Sequence, residues 1–247
     1  MDLELGLDLW TARAFFAFGL TLLCGLTVCL GGVMALTLKK LDPGLFCLCF
    51  SFAAGIMLCL GVSATLESLS LASVSAFLTG AVLMAVLGAL SHKRSGEMGR
   101  TGTFSALAIA AHNFPEGFVL FSAALLEPIL GLTMGGAMVA HNIPLGIAIA
   151  LPIRYASHSR LRAMGFTLLS GLAPVTGALL GCLLLRPLFS ADNLDLLSAG
   201  TGGVMVCIAV LELLPSARSY GRRSKVFSGL CAGVFFMLCV ILLAHFT

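Results

Sequence analysis

The chain has 247 residues, 59% of them hydrophobic and only 10% charged, with a formal net charge of +3. Soluble domains carry about 25% charged residues, and a soluble fold of this length has no polar shell large enough to cover so much apolar surface. Together with a mean hydropathy of +1.08, this excludes a soluble enzyme, a nucleic-acid binder and a disordered chain. The composition belongs in lipid, where glycine is tolerated and charge is costly.

The segment Met1 to Leu9 carries Asp2, Glu4 and Asp8 with no Lys or Arg, the reverse of a signal-peptide n-region. The first apolar run also exceeds an h-region in length, so it reads as a retained span. About 20 apolar residues cross the hydrocarbon core as a helix. With that ruler, residues 1–247 read as a single transmembrane domain of eight spans. In chain order these are Trp10–Leu38, Leu45–Leu66, Leu71–Leu90, Thr103–Leu126, Ile129–Leu151, Ala163–Leu185, Leu194–Leu214 and Val226–Phe246. The expected fold is therefore an all-α, eight-helix membrane bundle.

Basic residues set the expected orientation. Lys39, Lys40, Lys93, Arg94, Arg100, Arg154, Arg160, Arg162, Arg218, Arg222, Arg223 and Lys225 fall in the connections after the odd-numbered spans, twelve of the fourteen Lys and Arg. Only Arg13 and Arg186 fall toward the other side. This asymmetry predicts that the twelve face the cytoplasm and that both termini are extracytoplasmic. The nine cysteines all lie within apolar runs and read as small packing residues.

Ionisable residues inside a membrane are functional candidates, because burying them in lipid is expensive. His92 and His158 fall in basic connections, His245 sits near the chain end, and all four lysines are in loops. What remains at depth is His112, Asn113 and Glu116 on the fourth span, with His141 and Asn142 on the fifth. The two clusters repeat one pattern: Ala111-His112-Asn113-Phe114-Pro115-Glu116-Gly117 and Ala140-His141-Asn142-Ile143-Pro144-Leu145-Gly146. Both flank the turn at Glu127-Pro128, and a rise of 1.5 Å per residue puts both histidines about 20 Å below it.

His112 and Glu116 are i, i+4 neighbours on one helix face. Imidazole plus carboxylate suits Zn²⁺, Fe²⁺ or Mn²⁺ better than Ca²⁺ or Mg²⁺. The asparagines supply neutral oxygens or bonds between helices, and Gly117 and Gly146 permit close helix approach. A zinc hydrolase is disfavoured, since H-E-x-x-H is absent and only two histidines reach the interior.

These residues resemble the ZIP (Zrt/Irt-like) divalent metal transporters, especially short prokaryotic-type members. The family's fourth-helix motif H-N-x-P-E-G stands intact as His112 to Gly117. The fifth-helix motif appears as His141 to Gly146 with Leu145 in place of Glu. Phe52 to Met57, Ser170 to Ala173 and Glu212 to Pro215 resemble further family segments. The resemblance implies a plasma-membrane (inner-membrane in bacteria), multi-pass importer moving zinc, or iron or manganese, toward the cytoplasm. It also implies a homodimer in the lipid bilayer and no prosthetic group, the transported ion being the only metal.

His112, Glu116 and His141 match one metal position of the family, and Asn113 and Asn142 a second, adjacent one. Glu212 matches either an exit route or a helix-end Glu solvated near Arg218. The chain departs from the family at Leu145, at Pro174 where Glu often follows S-G-L-A, and at Ala64 late in the second span. Two divalent ions bring roughly four positive charges that a single carboxylate does not neutralise, so one ion at most is expected. The alternative is a non-transporting ZIP-like sensor or scaffold whose metal site has decayed.

Overall fold

A computed structural model describes residues 2–37, 42–67, 69–92, 98–184 and 191–245, and every regular element among them is helical. The helices are α1 (Asp2–Thr37), α2 (Pro43–Leu66), α3 (Leu71–His92), α4 (Met98–Leu126), α5 (Pro128–Ser157), α6 (Arg160–Leu184), α7 (Ala191–Ile208), α8 (Leu214–Ser219) and α9 (Arg223–His245). Seven segments among the described residues are long and apolar enough to cross a membrane. The 29-residue α4, which carries the intact polar motif, is about 43 Å long at 1.5 Å per residue. The fold is an all-α membrane bundle. Leu38, Lys39, Lys40, Lys93, Arg94, Leu185, Arg186 and Phe246, which figure in the expected spans and loops, lie outside the described residues.

Helix boundaries follow local chemistry. Asp42 caps α2 by accepting from Gly44 N at 2.8 Å, with Pro43 in the first turn, where the missing N–H of proline costs nothing. Glu127 is extended (φ −137°) ahead of Pro128, which opens α5, as the residue before a proline prefers. At the other end of α5, His158 turns left-handed (φ 51°), and Ser159 Oγ then accepts from Arg162 N at 3.2 Å to start α6.

The expected seventh span is not one uniform α-helix. A π-helical turn at Ala209–Leu213 joins α7 to α8, with Leu214 N–H reaching back to Ala209 O. Pro215 follows directly and has no N–H for the carbonyl four residues before it; the wider turn absorbs that mismatch. The turn carries Glu212.

The principal helix pairs are α1 with α5, α2 with α9, α4 with α6 and α3 with α7. The most apolar stretch of α5 is 72% buried, against 17% for α3 and 22% for α9. Thus α5 runs through the middle of the bundle, while α3 and α9 present leucine and phenylalanine side chains outward, as a lipid-facing helix should. Arg154 near the end of α5 donates from Nη1 to the carbonyls of Ala35 (3.3 Å) and Leu36 (3.1 Å), closing the last turn of α1 with a cation.

Candidate metal site between α4 and α5

The short Glu127 turn folds α4 and α5 antiparallel, and their two motifs face each other inside the bundle. His112, Asn113, His141 and Asn142 have no exposed surface, and Glu116 is 6% exposed. His141 Nε2 lies 3.2 Å from Glu116 Oε1, so the two motifs meet at one level of the bundle.

Each asparagine docks its helix onto a neighbour. Asn113 Nδ2 donates to Ser170 O of α6 at 3.2 Å, and Asn142 Nδ2 donates to Cys24 O of α1 at 3.0 Å. Four residues on, the motif glycine touches the same neighbour four residues on. A Cβ at Gly117 would land on the Pro174 backbone of α6, and one at Gly146 on the Val28 carbonyl of α1. The duplicated sequence thus produces a duplicated contact, α4 against α6 and α5 against α1. Small residues permit these approaches where lipid supplies no hydrophobic drive for helix association. The sequence offered two uses for the asparagines, and the structure assigns the amide nitrogens to helix docking.

The oxygens on these side chains are left without hydrogen bonds. Asn113 Oδ1, Asn142 Oδ1 and both carboxylate oxygens of Glu116 are buried and accept no hydrogen bond. A buried polar group without a hydrogen-bond partner costs about 1–3 kcal/mol, and Glu116 Oε1 has only its contact with His141 Nε2.

The imidazole is oriented as well. His141 Nδ1 lies 3.0 Å from Ala137 O, and since a carbonyl only accepts, Nδ1 carries the proton. In the neutral ring Nε2 is then a bare lone pair aimed at a carboxylate oxygen. Two acceptors at that separation call for a positive charge between them, a proton or a metal ion.

His112 is buried one turn before Glu116. Among the described residues, no three His, Cys, Asp or Glu side chains gather into a ready-made metal cluster; the converged pair is Glu116 with His141. Leu145 is fully buried within the main apolar core. Pro174 packs on Gly117, and Glu212 sits on the π-turn beside Gly88 of α3.

On one side of Glu116 lies a cavity of about 40 Å³ between α2, α4, α5 and α7, with Ala64 in its wall. Its lining includes Met134, Met138 and Met205, none of which stood out in the sequence. The available signal was the i, i+4 spacing of Met134 and Met138 on the helix that carries His141.

Residues 91–241 match the family model described as ZIP Zinc transporter. The chain belongs to the ZIP family. This member is 39% identical to a protein named zinc transporter ZupT from Corynebacterium glutamicum, over 92% of this chain and 98% of the relative. It is 34% identical to a protein of the same name from Chlorobium chlorochromatii, over 94% and 99%. A third, from Nitratidesulfovibrio vulgaris, is 35% identical over 94% and 98%. ZIP proteins are membrane transporters, not enzymes, and this one is an integral, multi-pass protein of the plasma membrane.

Proposed function

We propose that this ZIP protein carries Zn²⁺, or a similar divalent ion such as Fe²⁺ or Mn²⁺, toward the cytoplasm through a site between α4 and α5. Glu116, His141 and His112 act as ligands, and Asn113 and Asn142 contribute neutral oxygens. The observation that carries this reading is the buried contact of His141 Nε2 with Glu116 Oε1 at 3.2 Å. Zinc holds imidazole nitrogen and carboxylate oxygen at about 2.0–2.2 Å, so two ligands on a tetrahedron stand about 3.4 Å apart. The pair is already at the spacing of one edge of such a site. His112, one helical turn from Glu116, completes the donor set after a small side-chain movement.

The orientation belongs to the same proposal. Arg154, at the end of α5, closes the end of α1, and Arg160, Arg162, Arg218 and Arg222 lie in or beside the connections after α5 and α8. This arrangement supports a cytoplasmic face at that end, with both chain termini opposite.

The test is zinc uptake into proteoliposomes by the wild type and by His141→Ala. Saturable uptake is expected for the wild type, with a loss of at least about tenfold in the variant, the effect usual for a perturbed metal-site residue. A second reading, a ZIP-like sensor or scaffold without transport, draws on Leu145 filling apolar core where the family motif carries Glu. It predicts no uptake by the folded wild type.

A further inference from the structure

Pro174 lies inside α6, where that helix packs on α4. In an α-helix each carbonyl accepts from the N–H four residues on. The helical partner of Ser170 O would therefore be the N–H of residue 174, and proline has none. A carbonyl freed in this way inside a membrane bundle needs a substitute donor. Asn113 Nδ2 of α4 supplies it at 3.2 Å.

The matching contact of the second motif differs in this respect. Asn142 Nδ2 reaches Cys24 O at 3.0 Å, but Val28, four residues on, has an N–H for that carbonyl. Thr27 Oγ1 also donates to it at 2.6 Å. Asn142 is one donor among several there, whereas Asn113 provides what Pro174 withholds.

The chemistry of the amide turns this contact into an orientation. A carboxamide ends in an oxygen and a nitrogen of similar size, and a carbonyl, which only accepts, pairs with the nitrogen. With Nδ2 on Ser170 O, Oδ1 occupies the other branch of the planar group, buried and without a hydrogen bond. Two close backbone approaches hold the helices around it: Gly117 against Pro174, and Gly177 against the Phe114 carbonyl. Asn113 and Glu116 are i, i+3 neighbours on α4.

We infer that Pro174 is a positioning residue of the ion site. By withholding an N–H from Ser170 O, it fixes the Asn113 amide with its nitrogen on α6 and leaves Oδ1 as a neutral donor for the ion. The residue that stands where Glu often follows S-G-L-A thus removes a carboxylate from α6 and orients an oxygen on α4. The inference deepens the transport reading, on which its zinc readout rests.

The test is a double-mutant cycle of Pro174→Ala and Asn113→Ala, read in two ways on the full chain in detergent. The first reading is the thermal midpoint of the metal-free protein. With Pro174 in place, Asn113→Ala strips Ser170 O of its donor and is expected to lower the midpoint by roughly 2–12 °C. With Pro174→Ala present, the restored N–H serves that carbonyl, and the same change is expected to cost at most about half as much.

The second reading is zinc affinity by equilibrium dialysis. Pro174→Ala alone is expected to weaken zinc binding roughly tenfold, while its midpoint holds or rises because a proline has left a helix interior. In the Asn113→Ala background it is expected to weaken binding by less than about twofold. Pro152→Ala, which removes a proline from inside α5, is the control and is expected to leave zinc affinity level.

Equal cost of Asn113→Ala in both backgrounds would overturn the inference, as would unchanged zinc affinity in Pro174→Ala or an equal loss in Pro152→Ala. If Asn113→Ala does not fold, Asn113→Leu, which keeps the volume and drops the amide, replaces it with the same pattern expected. A wild type that binds no zinc defeats the transport reading, while the metal-free cycle still decides whether Pro174 sets Asn113.

Discussion

Glu116→Gln is expected to move transport and stability in opposite directions. The amide keeps the shape of the side chain but removes the single negative charge at the level of the two motifs. Removing one partner of a buried charge interaction costs about 3–5 kcal/mol. At 1.4 kcal/mol per factor of ten, zinc uptake is expected to fall by at least about 100-fold. The metal-free protein, however, loses a carboxylate whose oxygens accept no hydrogen bond. It gains an N–H that can donate to His141 Nε2, 3.2 Å from the present oxygen. The thermal midpoint of metal-free Glu116→Gln in detergent is therefore expected to rise by a few degrees. A purely structural Glu116 predicts the opposite, with stability falling and uptake following it down. The pairing of lost activity with gained stability is the signature of a site that carries strain for function.

The second large effect concerns the paired glycine contacts that hold the site's helices. Gly117→Ala and Gly146→Ala each place a methyl group onto backbone, the first at Pro174 and the second at the Val28 carbonyl. A helix backbone gives way less easily than a side-chain tip, and overpacking typically costs about 1–3 kcal/mol, occasionally more. For a chain of this size each kcal/mol moves the thermal midpoint by about 2–4 °C, so drops of about 2–12 °C are expected. Gly136→Ala is the control. It lies on the same helix as Gly146, a Cβ there meets nothing within 4 Å, and Ala in an exposed helix is favoured over Gly by up to about 1 kcal/mol. Its midpoint is expected to stay level or rise. If all three variants behaved alike, the glycines would matter only through helix propensity, and the docking of α4 on α6 and α5 on α1 would lose its basis.

Which parts were legible in the sequence follows from which parts are local. Apolar run length marked the spans, and the duplicated His-Asn motif marked the place where α4 and α5 meet, because a depth count along two antiparallel helices needs only the 1.5 Å rise. The partners across space were not legible. Asn113 and Asn142 look alike in sequence, and nothing there says that one reaches Ser170 O and the other Cys24 O. The π-turn before Pro215 depends on how one proline is accommodated between packed neighbours, and an apolar window sees only a continuous span. Met134, Met138 and Met205 carry no signal in the sequence beyond the i, i+4 spacing of the first two, and only the packing of α5 and α7 brings them to one cavity beside Glu116.

X-ray absorption at the zinc edge, on protein loaded with one equivalent of zinc, reads the ligands of an ion bound among Glu116 and the histidines of α4 and α5. A shell of nitrogen and oxygen ligands at about 2.0–2.2 Å with imidazole outer scattering is the predicted result, and this shell should disappear in Glu116→Gln/His141→Ala. A shell dominated by sulfur at about 2.3 Å, unchanged in that double variant, would place zinc among the cysteines and contradict the account.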